Sequence, residues 1–313
     1  MARVGHLILG LILALVSVAG FASTFIFGSA LTRHHGVDPL ILSCLRFLIA
    51  GAFLFAFECV RASSRARLFA LTRRDWLTLA WVGPIGTCLM AWCVFKGCSL
   101  VSTANASMAD ALTPLMIFAV AALRARHIEG RELIGLICGF IGVLLVIQIV
   151  TTRGFELSAY TVGDVFVFFA ALTWGIYTVY GRAPIARLGS SVFSTWTMLI
   201  GGALVAFILP FADITWPTTV RAWLLILGLA LIATLLPFWT WNAAQKYLPM
   251  SVLGVSAYFT PVFAVALAML FLNEHATALQ WLGTFFIIAA ALVETGRTRT
   301  HAAPLYKKRT GAQ

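Results

Sequence analysis

The sequence predicts an all-α integral membrane protein with ten transmembrane helices, arranged as two inverted five-helix repeats with both termini in the cytoplasm. Three observations carry this prediction. The 313 residues are 61% hydrophobic and only 11% charged, with a mean hydropathy of +0.96. A soluble chain carries roughly a quarter of its residues charged, so this apolar load must face lipid rather than one buried core. The apolar residues form long runs without two-residue alternation, which means helices rather than a β-barrel, because a lipid-exposed backbone must satisfy its own polar groups. The basic residues fall between those runs with a strong one-sided bias.

Spans of about 20 residues fit between charged or turn-rich breaks. They are placed at 5–28, 39–60, 76–95, 102–123, 133–150, 163–181, 192–211, 222–241, 250–272 and 278–295. The first run is too long for a signal-peptide core and has no clear cleavage site, so it is read as a retained span. Residues 1–150 form the first repeat and 151–295 the second. Residues 296–313 form a polar, basic cytoplasmic tail expected to be disordered.

Loop charges orient the spans. With the N-terminus inside, 17 Lys and Arg residues lie on the inner side, among them Arg61, Arg65, Arg67, Arg73 and Arg74 in one loop. Only Arg33, Lys96, Arg153 and Arg221 lie outside, and Arg46 lies within a span. Losing one span would invert every later loop and erase the bias. The net charge of +11 is therefore read as topology, and no nucleic-acid partner is expected. The six cysteines sit in apolar runs or at their ends without a C-x-x-C pair, so they are read as small apolar fillers.

The halves repeat. Trp76 and Trp223, Thr87 and Thr234, and the pairs Thr113–Pro114 and Thr260–Pro261 each stand 147 residues apart. Five helices per half is an odd number, so the second half enters the membrane in the opposite sense. Such inverted repeats suit alternating access between two packed halves.

On these residues the chain resembles the EamA-type, ten-helix members of the drug/metabolite transporter superfamily. In the first half the resemblance rests on Ser23–Thr24–Phe25, on Pro39 followed by Cys44–Leu45–Arg46–Phe47, and on Leu112–Thr113–Pro114. In the second it rests on Gly163–Asp164 before Trp174–Gly175, on Thr260–Pro261, and on Phe271–Leu272–Asn273–Glu274–His275 with Gly283 nine residues after Glu274. Two departures stand out: Arg126 or His127 occupies the place of the first repeat's usual Glu, and Ala19 stands where many members carry Trp. The resemblance implies efflux of a metabolite, amino acid or drug-like solute. Only Lys246 stands where phosphate-carrying relatives use basic pairs, which argues against phosphate substrates.

The candidate cavity residues are Ser23, Thr24, Arg46, Asp110, Trp174, Tyr177 and Tyr258, with Pro114 and Pro261 as matched helix kinks. Proline removes a backbone donor and frees a carbonyl one turn earlier, and the same is expected at Pro84 and Pro237. Trp174 and Tyr177 share a helix face. Trp76, Trp216, Trp223, Trp241 and Trp281 are read as interface anchors. Arg46 and Asp110 are the deep charges, both about 10–12 Å below the outer boundary at ~1.5 Å per residue. They fit either a structural ion pair or a substrate or proton site.

The reading is a secondary transporter that exports a small organic solute by alternating access, with or without a coupling ion. It is multi-pass in a plasma membrane such as a bacterial inner membrane, surrounded by lipid, as a monomer or homodimer. No catalytic residue, metal site or cofactor is expected. A membrane enzyme acting on lipid would need a Ser–His, paired-Asp or H-E-x-x-H constellation that the sequence lacks. A receptor or scaffold remains the other class, set back by the absence of a signalling segment between the spans.

Overall fold

The computed structural model describes residues 2–100, 112–125, 130–146, 150–151, 154–155 and 162–272, with residues 278, 281–283, 285–286 and 289 of the last expected span. Within these, six helices are long and apolar enough to cross a membrane, and Thr113–Ala125 is a shorter apolar helix. The helices are α1 (Ala2–Ser29), α2 (Pro39–Val60), α3 (Ala62–Phe69), α4 (Arg73–Pro84), α5 (Met90–Leu100), α6 (Thr113–Ala125), α7 (Gly130–Val146), α8 (Val162–Leu188), α9 (Ser190–Ile208), α10 (Val220–Ala230), α11 (Leu236–Ala244), α12 (Met250–Ser256) and α13 (Phe259–Leu272). Asp110, Glu274 and the basic tail lie outside the described residues.

Local chemistry starts α2 where the sequence expects it, and α4 and α10 slightly earlier than expected. Asp38 accepts the Leu40 N–H at 2.7 Å while Pro39 opens α2, so the expected bounds 39–60 hold to the residue. Thr72 and Asp75 form a reciprocal capping box that starts α4 three residues before the expected 76. Thr219, 147 residues after Thr72, caps α10 by accepting the Ala222 N–H at 3.2 Å. Between α8 and α9 a single residue, Gly189 at φ +95°, makes the turn, a conformation a side chain would strain.

Three expected bounds are corrected. The fifth span ends as helix at Val146, and Val150–Thr151 instead pairs with Gly154–Phe155 in a two-stranded antiparallel hairpin, β1 and β2. The sixth span runs on to Leu188, since Pro184 is tolerated inside it. The ninth span is two helices, α12 and α13, joined through Ala257 and Tyr258. There the Thr260 N–H turns back to Ala257 O at 3.0 Å, four residues before the N–H that Pro261 lacks. The break expected from Pro261 therefore appears one turn upstream. At Pro114 the residues a turn earlier lie outside the described set.

The third and eighth spans each change pitch midway. Ile85–Leu89 joins α4 to α5 as a π-helical turn, and Leu231–Leu235 joins α10 to α11 in the same way. The matched threonines, Thr87 and Thr234, lie inside these turns. Such turns leave carbonyls without the usual donor and recur at functional positions.

Packing partners exchange between the halves. α1 packs on α11, and its second-half counterpart α8 packs on α5; α1 also packs on α13 and α8 on α6; α2 packs on α9. In that last contact, Gly51 faces Leu199 and Gly202 faces Leu48, so each helix lacks a Cβ where the other presents a leucine.

Candidate functional site

The site forms where α1, α2 and the π turn of the eighth span meet. Pro237 has no N–H to offer the carbonyl of Ala233 four residues earlier, so that oxygen is left for side chains. Two of the expected cavity residues take it. Thr24 Oγ1 donates to Ala233 O at 3.1 Å, and Arg46 Nη2 donates to the same oxygen at 3.4 Å. Arg46 Nε donates to Thr234 Oγ1 at 2.9 Å, and the Thr234 hydroxyl in turn donates to Leu229 O at 2.7 Å.

Arg46 is 1% exposed, and its Nη1 has no hydrogen-bond partner among the described residues. Its guanidinium carbon lies 4.8 Å from the Phe47 ring centre and 5.2 Å from that of Phe95. Each ring supplies up to about 2 kcal/mol to a desolvated cation. No ion pair to Arg46 exists among the described residues.

Aromatic side chains continue from this cation across the bundle. Phe47 meets Phe238 edge-on at 5.3 Å, and Phe238 meets Trp174 at 4.9 Å. Trp174 and Tyr177 stack at 5.1 Å with 20° between their planes, on the one face their spacing implies. Phe21 from α1 closes the cluster against Trp174 and Phe238. Trp241, expected as an interface anchor, is instead 1% exposed within this cluster and donates Nε1–H to Thr178 Oγ1 at 3.2 Å. Its nearness to a helix end misleads because the eighth span runs three residues past the expected 241.

Beyond Tyr177 lies a buried polar group. Asn242 Nδ2 donates to Tyr177 Oη at 2.9 Å and to Ser194 Oγ at 2.8 Å, and Gln245 Nε2 donates to Asn242 Oδ1 at 3.1 Å. Gln245 Oε1 is buried and accepts no hydrogen bond from the described residues. Asn242 and Gln245 carry no distinguishing mark in the sequence, because polar residues near a span end read as a boundary. Of the other expected residues, Ser23 donates to Gly20 O in its own helix, and Tyr258 is buried at the α12–α13 break. The structure thus joins Thr24 to Arg46, and Trp174 to Tyr177. Asp110 falls outside the described residues.

A second polar contact, also absent from the sequence reading, ties the bundle at one end. Asp75, 2% exposed, accepts from its cap partner Thr72 and from Arg187 at the end of α8. Lys246 lies near this end too; burial and the charge of Arg67 push its pKa below the usual lysine value. Among the described residues no cluster of His, Cys, Asp and Glu could hold a metal ion.

The EamA-like transporter family model matches residues 8–148 and again 161–295. An uncharacterized transporter of Archaeoglobus fulgidus is 25% identical over 300 residues, covering 93% of this chain and 97% of its own. An uncharacterized transporter of Synechocystis is 21% identical over 238 residues, covering 72% of this chain and 67% of its own. One solved crystal structure, 22% identical, covers 93% of this chain and 97% of that one at a TM-score of 0.73, a likeness of fold.

Proposed function

The chain belongs to the EamA-like transporter family and is a multi-pass membrane transporter, and we propose that it is a secondary transporter exporting a small organic solute across the plasma membrane by alternating access. It does so as ten helices in two inverted five-helix repeats, residues 1–150 and 151–295, with both termini in the cytoplasm and without enzymatic activity. The observation that supports this reading most is the exchange of partners. The first helix of each half packs on the third span of the other, at a π turn. Two halves that grip each other this way can rock as bodies around a central site.

The site in this reading lies along Thr24, Arg46, Phe238, Trp174 and Tyr177, with Ser23, Tyr258 and Asp110 as further cavity residues and Pro114 and Pro261 as kinks. Thr24, Arg46, Trp174, Tyr177 and Tyr258 are all buried, which suits an occluded state. Purified chain in proteoliposomes, loaded with candidate solutes, should support counterflow of one of them. Absence of flux for every class of small solute, alongside chemical change of the surrounding lipid, would overturn the reading in favour of an enzyme.

A further inference from the structure

We propose that Arg46 docks a carboxylate of the transported solute, so that the substrate class is an organic carboxylate with an apolar body. This rests on the transporter reading above. A guanidinium offers five N–H donors in a flat fork that matches a carboxylate along one edge. In this site Nε donates to Thr234 at 2.9 Å, whereas Nη2 reaches Ala233 O only at 3.4 Å and Nη1 reaches no acceptor among the described residues. The end of the fork, Nη1 with Nη2, is the open edge. That is the edge a carboxylate takes with two parallel bonds.

Charge makes the same case. Arg46 is 1% exposed within a membrane span, and both of its hydrogen-bond acceptors are neutral. An arginine at such depth is costly unless it is paired or lines a polar path. The rings of Phe47 and Phe95 offset part of that cost, yet leave the open N–H donors unsatisfied. A permanent partner carboxylate would satisfy them. Among the described residues none does so, which is the arrangement of a site whose counter-charge arrives with its ligand.

The rest of the solute is constrained by what adjoins Arg46. Phe47 leads to Phe238 at 5.3 Å, and Phe238 to Trp174 at 4.9 Å and Tyr177 at 5.8 Å. A body lying along these rings is apolar. One guanidinium with no second cation beside it among the described residues suits a single negative charge better than a phosphate dianion.

The test uses the purified full chain in detergent and four probes of one shape: benzoate, benzamide, benzylammonium and phenyl phosphate, at matched ionic strength. Thermal unfolding reports binding to the folded state. Benzoate should raise Tm and benzamide should not. Arg46→Lys should keep that preference at about 10- to 100-fold lower affinity, and Arg46→Gln should lose it. If Arg46→Gln does not fold, the wild-type contrast of benzoate with benzamide decides alone. Equal responses to those two, no benzoate response, a stronger response to phenyl phosphate, or a benzoate response that appears only in Asp110→Asn would each overturn the proposal. The last result would mean that Asp110 already fills the position. Counterflow with the same probes separates the two readings. Movement of benzamide or benzylammonium but not benzoate leaves a transporter without a carboxylate site. A benzoate-specific, Arg46-dependent Tm shift without any flux leaves the site and counts against transport.

Discussion

Thr24 and Arg46, from the first and second helices, donate to one and the same oxygen, the carbonyl of Ala233. The cause lies four residues on, where Pro237 has no N–H to return to that carbonyl. A proline in the eighth span thus ties three spans at a point inside the bundle. Ser17 adds a further tie by donating to the Pro237 carbonyl at 2.7 Å.

The matched threonines allow a controlled comparison. Thr234 accepts from a buried charged donor, whereas Thr87 donates to Gly83 O at 2.7 Å and Thr197 O at 3.3 Å, both neutral. Thr234→Val should cost about 1.5–3 kcal/mol, because it strands a guanidinium N–H, and Thr87→Val only about 0.5–1.5 kcal/mol. Thermal unfolding of the two variants in one detergent checks the order. A larger loss at Thr87 would show that Arg46 does not depend on Thr234.

Gly86 in the first π turn lies directly against Tyr177. A Cβ there would overlap the Cβ, Cγ and Cδ2 of that tyrosine, atoms that cannot swing away as a flexible tip would. Gly86→Ala should therefore cost at least about 1–3 kcal/mol. It should also disturb Tyr177, whose hydroxyl accepts from Asn242. Normal expression and Tm in Gly86→Ala would mean that the third and sixth spans sit farther apart than described.

What was legible in the sequence follows from physics at each residue. Arg46 stood out because a lone charge in an apolar run needs a reason, and Trp174 with Tyr177 because a three-residue step shares a face. Phe21, Phe47 and Phe238 did not stand out. Beside lipid, a phenylalanine facing the bundle and one facing the membrane sit in equally apolar surroundings, so periodicity is silent. Phe53 and Phe57 are exposed while Phe47 is fully buried in the same helix, and composition cannot tell them apart. The π turns were hidden as well, since a change of pitch leaves no mark beyond a nearby proline or threonine. The bounds of α2 were legible because Asp38–Pro39 is a local start signal, whereas the hairpin after Val146 had none.

Asp75 and Arg187 are unequal partners. The carboxylate is 2% exposed and also holds the start of α4, whereas the guanidinium is 48% exposed. Arg187→Gln should cost no more than about 1 kcal/mol, after screening by solvent, and less at high salt. Asp75→Asn weakens the cap as well, and its loss should exceed that of Arg187→Gln by about 0.5–2 kcal/mol. Chemical or thermal unfolding at low and high salt reads both. Equal losses would mean that the cap contributes nothing.

In the proposed topology, which follows the charge bias of the loops, Arg74 and Gln313 lie on the cytoplasmic side. Reporter fusions at both positions should report inside. An outside signal at either one would remove a span from the count and reverse every loop beyond it.

Pro237 offers the most direct test of how the site is built. Pro237→Ala restores an N–H that can reach Ala233 O and draws the π turn toward regular helix. The alanine keeps a Cβ against Gly20, where the proline Cβ would lie 3.0 Å from any side chain added there, so packing changes little. Helix stability should hold or rise. Thr24 and Arg46, however, would compete with a backbone donor for their acceptor. In the wild type, Thr24→Val should cost about 0.5–1.5 kcal/mol by removing the shorter of the two side-chain bonds to Ala233 O. In the Pro237→Ala background the same change should cost close to nothing, a non-additivity that a double-mutant cycle measures. Transport by Pro237→Ala should fall even as Tm is kept, because the guanidinium would share Ala233 O with a backbone donor and hold to the eighth span chiefly through Thr234. Additive costs in the cycle, or a stable Pro237→Ala variant with unchanged transport, would show that the freed carbonyl of Ala233 is not what positions Arg46.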